Sequence, residues 1–243
     1  YSWRQVQAPL ATAATVVAFD RPAFGLTSRP LPGEWQGVNP YSPEGQVALA
    51  LALMDELGLE RAVLVGHSAG GAIAMRVALV HPERVSGLVL VAAAIYEGGT
   101  PAWLRPVLRT PQVRRLGPLI SRSISKLGDR FLGSAWADPT RVSEETLALY
   151  RKPLRAENWD RALWEFTLAS TGGDLAGREV ELRMPVLVMT GDQDRIVPPA
   201  SSQRLADALG VPLVTVADCG HLPQEEQPAR FLDAVRPFLA ELP

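Results

Sequence analysis

Cysteine is all but missing from this chain of 243 residues: Cys219 stands alone, so no intrachain disulfide can form. That usage fits a reducing compartment. Histidine is scarce too, and His67, His81 and His221 at these spacings make no metal-ligand set. Lys126 and Lys152 are the only lysines, so arginine carries almost all the positive charge. Scarce lysine beside abundant alanine hints at a GC-rich, bacterial coding sequence. The formal net charge of −2 offers no electrostatic reason to bind nucleic acid or an anionic membrane. No apolar run is long enough to span a bilayer, and no secretory leader is visible. These features predict a cytoplasmic protein with no membrane, no nucleic-acid partner and no metal.

One stretch is rich in information. From Ala62 a short apolar, β-branched run continues to Val65 and stops at Gly66. A small-residue, helix-capable run follows Ser68 and continues to about His81. Between them lies Gly66-His67-Ser68-Ala69-Gly70, a match to G-x-S-x-G. A strand that turns straight into a helix at Ser68 holds that residue in strained backbone geometry. Gly66 and Gly70, two residues to either side, let neighbouring backbone pass close by. The turn exposes the hydroxyl and aims the first helical N–H groups at whatever it attacks. The plainer alternative is a tight strand-to-helix turn with no chemistry.

The rest of the chain alternates in the same way. Val16 to Phe19 reads as a short strand ending at Asp20, and the prolines and glycines of residues 28–42 read as irregular surface. A helix is expected from Ser42 as N-cap, with Pro43 first and Glu44 in the opening turn. Its apolar positions Val47, Leu51, Met54 and Leu57 recur at helical spacing, and Gly58 ends it. Val85 to Ala94 is almost continuously apolar, as in a strand buried on both faces of a parallel sheet. After the middle of the chain, Pro185 to Thr190 and Pro212 to Val216 read as strands. Ala200 to Leu209 is a helix stopped by Gly210, and Gln227 to Leu242 a closing helix kinked or broken at Pro237.

The middle differs. From Tyr96 to Glu179 strand-like runs vanish, and arginines, prolines and tryptophans sit among short helical stretches. Residues 96–179 are therefore expected to form an inserted helical cap, and residues 1–95 with 180–243 the α/β core: a mostly parallel sheet flanked by helices. In such sheets reactive groups gather at the carboxyl ends of the strands. Ser68, Asp194 and His221 each follow an expected strand, which places all three on one rim.

A serine hydroxyl needs a base, and the base needs a group that sets its tautomer. His67 sits in the same turn as Ser68 and should point elsewhere. His81 is most simply a helix C-terminal residue. His221, after Gly220 at the rim, is the best candidate. Asp192 and Asp194 compete as the acid. Asp194, further along the loop and just before Ile196-Val197-Pro198-Pro199, is better placed to reach His221, while Asp192 should bond within the turn.

Several segments in order resemble the α/β-hydrolase fold family: Val17 to Gly25, Gly66 to Gly71, Pro82 to Val85, Gly191 to Pro198, and Cys219-Gly220-His221 with Glu226 and Pro228. Ala23 stands where glycine is common in that family. The resemblance covers nearly all of the chain except the middle. It implies the order Ser68, Asp194, His221 for a catalytic triad, with Ala69 N–H as one oxyanion donor. The second donor and the first strands would precede Tyr1. A serine nucleophile is similar to esterases, lactonases, C–C bond hydrolases and cofactor-free perhydrolases, rather than to the aspartate-using dehalogenases and epoxide hydrolases. The leading expectation is an esterase-like hydrolase of a small, apolar substrate, a reading that implies no organic cofactor. The alternatives are cleavage of a C–C bond in a vinylogous diketone, a perhydrolase, and a non-catalytic binding module. Substrate contacts are expected from Trp136, Trp164 and Leu222.

Overall fold

The computed structural model describes residues 1–97, 99–100, 103–108, 110–125, 128–170 and 173–242. In chain order the elements are α1 (Arg4–Leu10), α2 (Pro43–Glu56), β1 (Ala62–His67), α3 (Ala69–Val80), β2 (Val85–Val91), α4 (Arg105–Leu108), α5 (Pro111–Ser125), α6 (Gly128–Ala135), α7 (Glu144–Arg151), α8 (Trp159–Ala169), β3 (Val186–Gly191), α9 (Pro199–Leu209), β4 (Leu213–Val216), α10 (Pro223–Glu226) and α11 (Pro228–Ala240).

The four strands form one parallel sheet in sequential order, β1-β2-β3-β4. The registers bring the carboxyl ends level: His67 pairs with Val91, Val91 with Met189, and Gly191 with Val216. The near-continuous apolar run of β2 has the burial its sequence demands, because both of its faces are covered. Leu88 and Leu90 face one core with Met75 and Val77 of α3, Val188 of β3 and Leu205 of α9. Val89 and Val91 face the other, with Val6 and Leu10 of α1, Met189, Val216, and Phe231 and Val235 of α11.

Local signals set most boundaries. Ser42 caps α2, its side chain accepting the Gly45 N–H at 3.1 Å, and Gly58 follows the helix with φ of 66°. Gly210 ends α9 in the left-handed region, where glycine pays no Cβ penalty. Helix α11 runs through Pro237 to Ala240 as one element, with no break at the proline. No helix of the described residues is long and apolar enough to cross a membrane.

The expected strand at Val16–Phe19 does not form: residues 15–20 have no regular structure, and Val17 and Phe19 are exposed. A strand exists only through its ladder, and among the described residues nothing pairs with this segment. Apolar β-branched composition therefore misleads there.

Between β2 and β3 the described residues contain helices and 3₁₀ turns and no strand. Helices α5 and α8 pack together, with Gly117 set against the Trp164 indole. Ala162, Phe166 and Ala169 of α8 sit on Ala23 and Tyr41, while Leu132, Ala135 and Trp136 sit on Leu222. The helices of this region thus bear on the carboxyl-end rim at two places.

Candidate active site

Ser68 joins β1 to α3 with φ of 51° and ψ of −123°, a conformation disfavoured for any residue with a Cβ. The backbone around it holds the turn: Ser68 N–H donates to Val91 O at 2.9 Å, and Ser68 O accepts from Gly71 at 2.9 Å and Ala94 at 3.1 Å. The glycines that permit this turn are Gly66 and Gly71. A Cβ on Gly66 would lie 2.6 Å from Gly70 O and Gly71 Cα, and one on Gly71 would lie 2.5 Å from Ala93 Cβ. Gly70, the formal second glycine of the pattern, faces open space. The close approaches are thus within the turn and between it and Ala93, just beyond β2, and the second crowded glycine is one residue later than the motif suggests.

His221 lies beyond β4 in a buried loop, with its Nδ1 2.8 Å from Asp194 Oδ2. The carboxylate accepts, so Nδ1 carries the proton and Nε2 is left as the basic nitrogen. Asp194 is itself held through Oδ1, which accepts the Ile196 N–H at 2.8 Å and the Val197 N–H at 2.9 Å. Asp192 has a different place. Its Oδ1 accepts the Cys219 N–H at 3.1 Å and ties the loop after β3 to the loop after β4. Among the described residues neither the Ser68 hydroxyl nor His221 Nε2 makes a hydrogen bond, which leaves both available to an incoming group.

His67 does not point away. Its ring lies beside that of His221, with centroids 4.5 Å apart, and its Nε2 is 2.7 Å from the His221 carbonyl oxygen. A carbonyl only accepts, so His67 donates from Nε2 and props the His221 backbone. Burial, with His221 next, pushes His67 down to about 3, which keeps its ring neutral. The sequence placed His67 in the turn but could not show which loop would fold against it. His81 caps the C-terminus of α3 and faces Glu83 at 3.3 Å.

The His221 loop is also clamped to the helical region. His221 N–H donates to Ala135 O at 2.6 Å. The Glu226 carboxylate accepts N–H groups from Gly220 at 3.0 Å, Leu222 at 3.2 Å and Ala137 at 2.8 Å. One acid thereby joins both sides of His221 to the chain after α6, a contact no sequence spacing announces.

A cavity of about 170 Å³ opens beside this rim, lined among others by Arg21, Gln46, Ala69, Ile95, Glu97 and Phe166. Ala69 is the first residue of α3, so its N–H belongs to the group a helix leaves unpaired. Trp136 and Leu222 are buried against each other, and Trp164 is buried against Gly117; none of the three lines the cavity. The aromatic that α8 turns toward it is Phe166, two residues beyond Trp164. Burial pushes the thiol of Cys219 far up, which makes it a poor nucleophile. Among the described residues no cluster of His, Cys, Asp and Glu could hold a metal.

Residues 1–228 match the family of the α/β hydrolase fold. The chain is 32% identical to a 2-hydroxymuconate semialdehyde hydrolase of Pseudomonas sp. strain CF600, over 99% of this chain and 81% of that protein. Among solved structures it resembles a meta-cleavage product hydrolase from Pseudomonas fluorescens IP01, with 27% identity, a TM-score of 0.73, and 99% and 85% of the two chains covered. It also resembles a thermophilic esterase from Thermogutta terrifontis, with 26% identity, a TM-score of 0.76 and the same coverage. The strained serine between strand and helix, the parallel sheet beneath it and these matches lead to one conclusion: the chain belongs to the α/β-hydrolase fold family and is a hydrolase.

Proposed function

We propose that the chain cleaves a bond at the carbonyl carbon of a small molecule, with Ser68 as nucleophile, His221 as base and Asp194 as the group that orients and charges against it. The observation that carries this reading is the 2.8 Å contact of Asp194 with His221 Nδ1, on the rim that also bears the strained Ser68. In the first step Ser68 Oγ adds to the carbonyl carbon and its proton passes to His221 Nε2. The carbonyl oxygen becomes an oxyanion, which the Ala69 N–H meets. Collapse expels the leaving group with the proton from His221, and water repeats the sequence to release the acid.

Two bonds suit this machinery. Two relatives named 2-hydroxymuconate semialdehyde hydrolase, each 32% identical, favour a C–C bond in a vinylogous diketone. The likeness to an esterase favours a carboxylic ester. Labelling with a fluorophosphonate tests the shared part: the adduct should map to Ser68 and vanish in Ser68→Ala. An adduct on another serine would sink the assignment. The bond is then decided by comparing kcat/KM for 2-hydroxymuconate semialdehyde with that for short nitrophenyl esters.

A further inference from the structure

The cavity beside Ala69 contains a cation that the steps above leave unused. Arg21 follows the irregular segment 15–20 and reaches the cavity wall. Its Nη1 donates to Oε1 of Gln46, and its guanidinium carbon lies 5.0 Å from the centre of the Phe24 ring. Both neighbours are uncharged. Among the described residues no carboxylate is in ion-pair contact with it. Asp20, adjacent in sequence, is taken up instead by the Leu26 N–H at 2.9 Å.

Gln46 is in turn held by the Tyr41 carbonyl, 3.2 Å from its Nε2, so its oxygen is fixed toward Arg21. One amide oxygen engages a single N–H of a group that carries five. Burial, unopposed by any acid, brings Arg21 down to about 10. Arg21 is partly buried, and a cation held away from water without an anion is costly. The charge reaches the rim, because Arg21 also acts to keep His67 unprotonated.

The other charged groups on the cavity wall are differently placed. Arg76 is bonded to Asp174, so those two charges offset each other. Glu97 accepts the Ser201 hydroxyl through Oε1, and its Oε2 is buried without a hydrogen bond. The remaining wall is largely apolar, with Ile73, Ile95, Phe166 and Leu175.

We propose that Arg21 is the specificity-determining residue of this cavity and binds the carboxylate of an acyl group whose carbonyl carbon lies at Ser68. The substrate class is a short molecule with one carboxylate at the end remote from the scissile bond. The guanidinium edge donates two parallel N–H bonds to a carboxylate, a planar fit that no neutral chain end provides. Glu97 bounds the same space and repels a second anion. The inference rests on Ser68 being the nucleophile and on the ester reading above, because in 2-hydroxymuconate semialdehyde the carboxylate lies on the leaving half.

The test compares mono-nitrophenyl glutarate with nitrophenyl valerate, matched in length and differing in one carboxylate. kcat/KM is measured for the unaltered chain, Arg21→Met and Arg21→Lys. The unaltered chain should prefer the glutarate ester. The glutarate-to-valerate ratio should fall on the order of 10²-fold in Arg21→Met, the scale of one lost charge-assisted contact, and less in Arg21→Lys. No preference in the unaltered chain, or an equal loss on both esters in Arg21→Met, would overturn the assignment. Fluorophosphonate labelling run alongside separates the two readings: if Ser68 is labelled but the ratio does not move, only the role of Arg21 falls. Should Arg21→Met fail to fold, inhibition of the unaltered chain by the mono-amide glutaramate against glutaramide decides, and equal inhibition refutes the proposal.

Discussion

Replacing His67 by glutamine should flatten the acid dependence of stability. In the folded chain His67 donates from Nε2 to the His221 carbonyl at 2.7 Å, and burial with the nearby His221 pushes it from 6.5 to about 3. Unfolded, it titrates near 6.5. Below that value the unfolded chain therefore binds a proton that the folded chain refuses. Its contribution to stability is present in full above pH 6.5 and is lost as pH falls toward 3. At pH 4.5 the loss is at most about 2.7 kcal/mol, two pH units at about 1.36 kcal/mol each. Glutamine keeps an N–H at the Nε2 position and does not titrate. Urea unfolding at pH 7.5 and 4.5 gives the two slopes. The unaltered chain should lose roughly 2–3 kcal/mol more than His67→Gln between these conditions, since the other acids titrate in both. Equal losses would show that His67 is protonated in the fold, and the account of its buried neutral ring would be wrong.

The turn and the acid make further predictions. Gly66→Ala should lower the melting temperature, at a cost of roughly 1–3 kcal/mol, because its Cβ would lie 2.6 Å from Gly70 O. Gly70→Ala should leave it within the error of the melt, since nothing lies within 4 Å of that Cβ; a larger drop there than at Gly66 would overturn the steric reading. Asp194→Asn should cost on the order of 10⁴-fold in turnover by setting the wrong His221 tautomer. Asp192→Asn, which alters only the bond to Cys219 N–H, should cost far less, and the reverse ranking in steady-state rates would refute the assignment.

Much was written in local sequence. An apolar run ended by glycine and followed by small helix-forming residues can fold in few ways, and β1, Ser68 and α3 follow it. Strands buried on both faces read as unbroken apolar runs, and parallel strands joined by helices point their carboxyl ends one way. The order of Ser68, Asp194 and His221 along the chain therefore already placed them on one rim. The loop position of Asp194 favoured it over Asp192, and its carboxylate is the one beside His221.

Other features depend on which surfaces meet, and no spacing encodes that. Residues 15–20 have strand composition but no ladder partner, so composition alone could not make them a strand. The sequence offered Trp164 as a substrate contact, and nothing in it singled out Phe166, two residues further along α8. Only the packing of α5 sent Trp164 against Gly117 and left Phe166 to the cavity. His67 meets His221, and Glu226 joins Gly220 to Ala137, across sequence gaps that only folding closes. Arg21 lies in the Val17 to Gly25 segment that carried the resemblance, but its partly buried place beside Gln46 without an acid is a property of the assembled site. Periodicity and steric limits act over a few residues and can be read along a chain; desolvation and pairing are settled between segments, and they become visible only once the chain has folded.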